Sequence, residues 1–145
     1  MQARRFLITG GSQGIGAAIV ELARNAGHDV VFTGRRDQLI DAVAWKSGAH
    51  GLNADVSAEA DNARTVEFCR ERMGGVDVLV NNAGYAYRAE IGALDIKAMR
   101  TMFDTNVFGL VAEDIAVTIM AALDMPRRAL WPELAIFANN PWKED

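Results

Sequence analysis

The stretch Arg5 to Gly27, "RFLITGGSQGIGAAIVELARNAG", changes character twice. Arg5 to Thr9, "RFLIT", reads as a short buried strand, and glycines then punctuate the chain. From Ile15 the residues Ile15, Ile19, Leu22 and Ala23 recur at helical spacing. Gly27 stops that helix. A second apolar run, "DVVFT" at Asp29 to Thr33, follows within two residues. Strand, helix and strand joined by so little chain make the order of a right-handed parallel crossover.

The alternation continues outward from this unit. A helix is expected over Asp37 to Lys46, a short strand over His50 to Asn53, a helix over Ala58 to Met73, and a buried strand, "VDVLV", over Val76 to Val80. Apolar strands of this kind, rather than strands that alternate with polar residues, imply a parallel sheet covered on both faces. Asp95 is a plausible N-cap for a helical stripe running through Ile96, Met99, Phe103, Val107, Val111, Ile115, Ile119 and Leu123. "ELAIFA" at Glu133 to Ala138 reads as a last strand. The expected fold is α/β: a reduced Rossmann-type parallel sheet of about five strands in the order 3-2-1-4-5, with helices on both faces. The 145 residues amount to about one domain's length.

Composition narrows the function classes. The formal charge is −4, and the basic residues are dispersed apart from pairs such as Arg4-Arg5, Arg35-Arg36 and Arg127-Arg128, which argues against a nucleic-acid surface. No apolar run approaches the roughly 18 residues of a membrane span. The N-terminus turns polar and glycine-rich by Thr9, too soon for a secretory leader, and the lone Cys69 can form no internal disulfide, so a cytoplasmic, reducing setting is expected. His28 and His50 stand at strand entrances without acidic or cysteine companions at ligand spacing, and no metal is expected. Met99, Met102, Met120, Phe103 and Phe108 are expected to face the core.

"TGGSQGIG" at Thr9 to Gly16 sets Gly10, Gly14 and Gly16 between a strand and a helix. Glycines permit a tight turn and close backbone approach, and the helix N-terminus offers unpaired amides and a positive dipole end to a pyrophosphate. About twenty residues on, where a carboxylate would accept from the adenosine ribose, the chain has Gly34-Arg35-Arg36 instead. The forked guanidinium suits a 2′-phosphate, which favours NADP over NAD.

Gly-x-x-x-Gly-x-Gly at Gly10, Gly14 and Gly16, "ADV" at Ala54 to Val56, "NNAG" at Asn81 to Gly84 and "TNVFG" at Thr105 to Gly109 together resemble the short-chain dehydrogenase/reductase family in order and rough spacing. The resemblance implies that Ser12, Gln13 and Ile15 line the phosphates, that Asp55 and Val56 meet the adenine, and that Asn82, Ala83 and Gly84 pass beside the cofactor while Asn81 braces the sheet. "AEDIAVTIMAAL" at Ala112 to Leu123 is similar to the family's last helix, and "PELAIFANNPW" to its last strand and tail.

The family's hydride transfer uses a serine and a Tyr-x-x-x-Lys pair, the ammonium making a tyrosine hydroxyl able to exchange a proton near neutral pH. Here the only tyrosines are Tyr85 and Tyr87, followed four residues on by Ala89 and Ile91, and the only serines are Ser12, Ser47 and Ser57. Tyr85 and Tyr87 are expected to cover the mouth of the pocket. Asn106, which in the family orders a water of the proton relay, is then a remnant. Two elements normally far apart look joined at a seam near residues 109–112. A continuous helix from Asp95 to Leu123 would be about 43 Å long, so it is expected to kink at Gly109 or to protrude. Either outcome predicts a homo-oligomer, in the second case a domain-swapped one. The sequence thus points to an NADP(H)-binding oxidoreductase by family that lacks its proton-transfer groups. The alternatives are a non-catalytic dinucleotide-binding or oligomeric structural module, and a piece of a longer enzyme.

Overall fold

β1 (Arg5–Ile8) lies between two parallel partners, β2 (Asp29–Gly34) and β4 (Val78–Val80). In register, Ile8 stands opposite Phe32 on one side and Val80 on the other. β3 (His50–Asn53) adds to the far edge of β2, and the sheet order is β3-β2-β1-β4. The computed structural model describes residues 3–90 and 92–111. The first four strands of the expected order are therefore in place. The expected last strand at Glu133 to Ala138, and the stripe beyond Val111, lie outside the described residues.

Both faces of the two central strands are enclosed, which is why their sequences are continuously apolar. Ile8, Val30 and Phe32 pack with Val20 and Ala23 of α1 (Gly14–Asn25) and Ile40 of α2 (Asp37–Ser47). Leu7 and Val31, pointing the other way, pack with Cys69 and Phe68 of α3 (Glu59–Met73). A polar tie joins the strand entrances: the Arg5 guanidinium forks onto the Asp77 carboxylate, from Nε at 3.0 Å and Nη2 at 2.6 Å, and Nη1 donates to the Gly74 carbonyl at 2.7 Å. These bonds hold the Asp77 carboxyl below its usual range.

Two apolar faces differ from expectation. In α1 the buried positions are Gly16, Val20 and Ala23, whereas Ile15 and Leu22 are 76% and 69% exposed. The helix sets its small side chains against the sheet. α4 (Ile96–Phe103) begins as expected, with Asp95 Oδ1 accepting from the Lys97 N–H at 2.8 Å, but buries none of its residues. Phe103 and Phe108 are exposed rather than core-facing, because this helix meets the body only further on, at Thr105 and Gly109.

The chain stays helical through Gly109. α4 continues as a wider, π-helical stretch over Asp104–Gly109, and Leu110 keeps right-handed helical angles. The glycine serves close approach instead: a Cβ there would lie 2.7 Å from the Val56 carbonyl oxygen. Gly109→Ala should therefore push the helix off the Val56 turn and lower stability by about 1–3 kcal/mol, the usual range for overpacking. A shift in the urea midpoint at unchanged slope checks this.

Candidate functional site

The turn after β1 is locked by buried side chains. Thr9 is enclosed, and its Oγ1 accepts from the N–H groups of Asn82 at 3.1 Å and Ala83 at 3.0 Å. Asn82 returns the tie, its Nδ2 donating to the Thr9 carbonyl at 3.0 Å and the Gly10 carbonyl at 3.1 Å. Gly16 completes the fit: a Cβ there would strike the Gly10 carbonyl and the Asn82 amide. The brace on this turn is thus made by Asn82 and Thr9. Thr9 carried no signal beyond closing a strand ahead of a glycine.

A second wall rises from the loop after β3. The Asp55 carboxylate accepts from the Ser57 hydroxyl at 2.7 Å and the Ser57 amide at 3.0 Å, and its other oxygen lies 3.7 Å from Arg35 Nη1. Burial alone would raise the Asp55 pKa, but the Ser57 hydrogen bonds and the Arg35 guanidinium outweigh it and hold the carboxyl below 3.8. Behind it, the buried Asn62 donates from Nδ2 to the Val56 carbonyl at 2.9 Å. Asn62 was not legible as a site residue, because its bond reaches backbone six residues earlier.

Between these walls lies a cleft of about 850 Å³. Its lining contains every residue that the sequence assigned to a dinucleotide, from Gly10 and the Ser12 to Gly16 turn through Arg35, Arg36, Asp55 and Val56 to Asn82, Ala83 and Gly84. Thr33, Gly34, Ala54 and Thr105 also contribute. At the start of α1, Gln13 makes no side-chain cap and the first turn holds no acid, so the helix-end amides and dipole are left for an anion. Gln13 instead accepts through Oε1 from Arg36 Nη2.

Asn106 does not line the cleft. Its Oδ1 accepts from the Tyr85 N–H at 2.8 Å and its Nδ2 donates to the Tyr85 carbonyl at 3.0 Å, so it pins the loop after β4 to the wide helical stretch. Neither Tyr85 nor Tyr87 lines the cleft either. The Tyr87 hydroxyl is engaged with backbone, accepting from the Asp95 N–H at 2.9 Å and lying 3.3 Å from the Ala93 carbonyl. His28 stacks on Phe6, ring centroids 5.0 Å apart, and its Nδ1 accepts from the Arg4 N–H. Among the described residues no group of three or more ligating side chains converges for a metal, and no helix is long and apolar enough to cross a membrane.

Residues 4–125 match the family described as short chain dehydrogenase. The chain belongs to the short-chain dehydrogenase/reductase family. Its members are oxidoreductases that take nicotinamide dinucleotides. The chain is 38% identical over 112 residues to a farnesol dehydrogenase of Aedes aegypti, an alignment covering 72% of this chain and 46% of that protein. It is 33% identical over 109 residues to a serine 3-dehydrogenase of Rhizobium radiobacter, covering 73% and 44%. Among solved structures, a short-chain dehydrogenase from Streptomyces avermitilis superposes with a TM-score of 0.75 at 31% identity, covering 83% of this chain and 45% of that one. The chain thus spans under half the length of these relatives.

The depressed Asp55 pKa has a consequence in acid. A carboxyl whose folded pKa lies below its unfolded value stabilises the fold above the unfolded pKa and loses that contribution as pH falls through the folded one. The stability gap between the parent chain and Asp55→Asn should be widest near neutrality and shrink as pH drops below about 3.8. Urea titrations at several pH values measure it, and a gap independent of pH would contradict the assignment.

Proposed function

We propose that the cleft binds NADP(H), and that the chain is the nucleotide-holding part of an oxidoreductase passing hydride between NADP(H) and a carbonyl or alcohol. The observation that carries this reading is the wall after β2. Arg35 and Arg36 both line the cleft, whereas Asp37, the next carboxylate along the chain, does not and accepts instead from the Asn53 side chain. Two guanidinium groups beside the adenosine end suit a 2′-phosphate. The Arg36 contact with Gln13 joins exposed side chains and the exposed Arg35 stands 3.7 Å from a half-buried Asp55, so exchange for a phosphate costs little.

On this reading the helix-end amides and the turn around Gly14 and Gly16 take the pyrophosphate. Asp55 and Val56 take the adenine side, and Asn82, Ala83 and Gly84 run beside the rest of the cofactor. The nicotinamide, when bound, supplies or receives the hydride. The Tyr-x-x-x-Lys pair that would exchange the paired proton is missing from the sequence, since neither Tyr85 nor Tyr87 has a lysine four residues on, and the Tyr87 hydroxyl is held by backbone. The chain is then expected to bind the dinucleotide without turning over a ketone or aldehyde. Fluorescence titration should give NADPH at least tenfold tighter binding than NADH. Arg35→Ala and Arg36→Ala should each weaken NADPH about 10- to 100-fold, the weight of a charge-assisted hydrogen bond, and leave NADH within about threefold. Equal affinity for the two nucleotides would remove the NADP reading; steady turnover of a simple ketone would remove the impairment.

A second reading, a non-catalytic and oligomeric module in a cytoplasmic setting, draws on the exposed stripe of Ile96, Phe103, Val107 and Val111. Apolar residues clustered along one solvent-facing helix favour association. We place a second copy of the chain there, domain-swapped or side by side. Sedimentation should give a species larger than 15.8 kDa, and Phe103→Asp should move the distribution toward the monomer.

A further inference from the structure

One polar group in the cleft is left unspent by the fold. Thr33 is 1% exposed, lines the cleft, and its Oγ1 has no hydrogen-bond partner among the described residues. The Thr33 carbonyl accepts from the Gly11 N–H at 2.8 Å, while the hydroxyl is left without a partner. Along β2, Val30 and Phe32 face α1 and α2 while Val31 faces α3. By strand alternation Thr33 shares the side of Val31, away from Phe32. A buried hydroxyl without a partner is costly, and the nearly isosteric valine would carry no such cost. The chain keeps threonine at the floor of the cleft, at the strand end that leads through Gly34 into Arg35 and Arg36.

We propose that Thr33 is a binding residue for the adenosine half of the dinucleotide, its enclosed hydroxyl finding in the 2′-phosphorylated adenosine the hydrogen-bond partner that the protein does not provide. This inference rests on the reading that the cleft takes NADP(H). The end of the cleft is fixed by neighbours: Arg35, Ala54 and Asp55 line the same end, and the Ala54 N–H donates to the Gly34 carbonyl at 2.9 Å, tying the strand ends on either side of the hydroxyl. The hydroxyl thus works for the ligand and against the free protein, two effects of opposite sign that one substitution separates.

The test is Thr33→Val in the full chain, with Thr33→Ser as the variant that keeps the hydroxyl. Calorimetric titration with adenosine 2′,5′-bisphosphate should show Thr33→Val weakened about three- to tenfold, the weight of one neutral hydrogen bond, and Thr33→Ser within about twofold of the parent. The thermal midpoint of free Thr33→Val should equal or exceed that of the parent. Unchanged binding in Thr33→Val, or a lower midpoint, would overturn the inference, since the hydroxyl would then be idle toward the ligand or already at work inside the fold. A parent chain that binds neither this fragment nor NADPH would instead overturn the reading of the cleft beneath it.

Discussion

The reciprocal tie between Thr9 and Asn82 is the constraint from which the site follows. Two parallel strands that are neighbours in the sheet lie some seventy residues apart in the chain, and their outgoing loops have no covalent reason to stay together. The enclosed threonine hydroxyl accepts two amides of the β4 loop, and the asparagine carboxamide donates to two carbonyls of the β1 turn. In a low-dielectric setting such a network is strong when complete and costly when broken. It fixes the glycine turn against the loop at Ala83 and Gly84, which sets the width of the cleft. Glycine at position 16 is then required because the tie leaves no room for a side chain.

The other wall is built by a different economy. Asp55 and Arg35 sit at the rim and hold one another across the ends of β2 and β3, while the enclosed Asn62 fixes the backbone of Val56 from behind. Rim groups can exchange partners cheaply and buried ones cannot. The site therefore combines a turn locked by buried groups with a rim whose charged groups are free to re-pair.

Much of this was legible in the chain because it is local. The strand, glycine turn and helix of Arg5 to Gly27, the parallel order, the Asp95 cap and the part of the lining made by Gly10, Gly14, Gly16, Arg35 and Arg36 follow from residue types at short spacing, whereas Asp55, Val56 and Asn82 to Gly84 came with the family resemblance. What escaped depends on contacts that residue spacing does not announce. Thr9 and Asn62 bond to backbone that only the fold brings near. Ile15 and Leu22 keep perfect helical spacing, yet the helix turns Gly16, Val20 and Ala23 inward, since periodicity reports that a face exists and not which of two faces meets the sheet. Phe103 and Phe108 were misplaced for the same reason. The four motifs that resemble the family carried more than the periodicity did, because each combines a turn, a polar group and a position in the order of elements.

The widened stretch over Asp104–Gly109 alters how α4 can be read and covered. Replacing four-residue backbone bonds by five-residue ones inserts, in effect, one extra residue into a turn, and at 3.6 residues per turn that rotates everything beyond it by about 100°. Regular counting sets Phe103 and Val111 about 80° apart around the helix, and the residue taken up by the wide turn brings them to within about 20° of one line. One flat surface can therefore lie along both side chains at once, as a ruler lies along a straight edge.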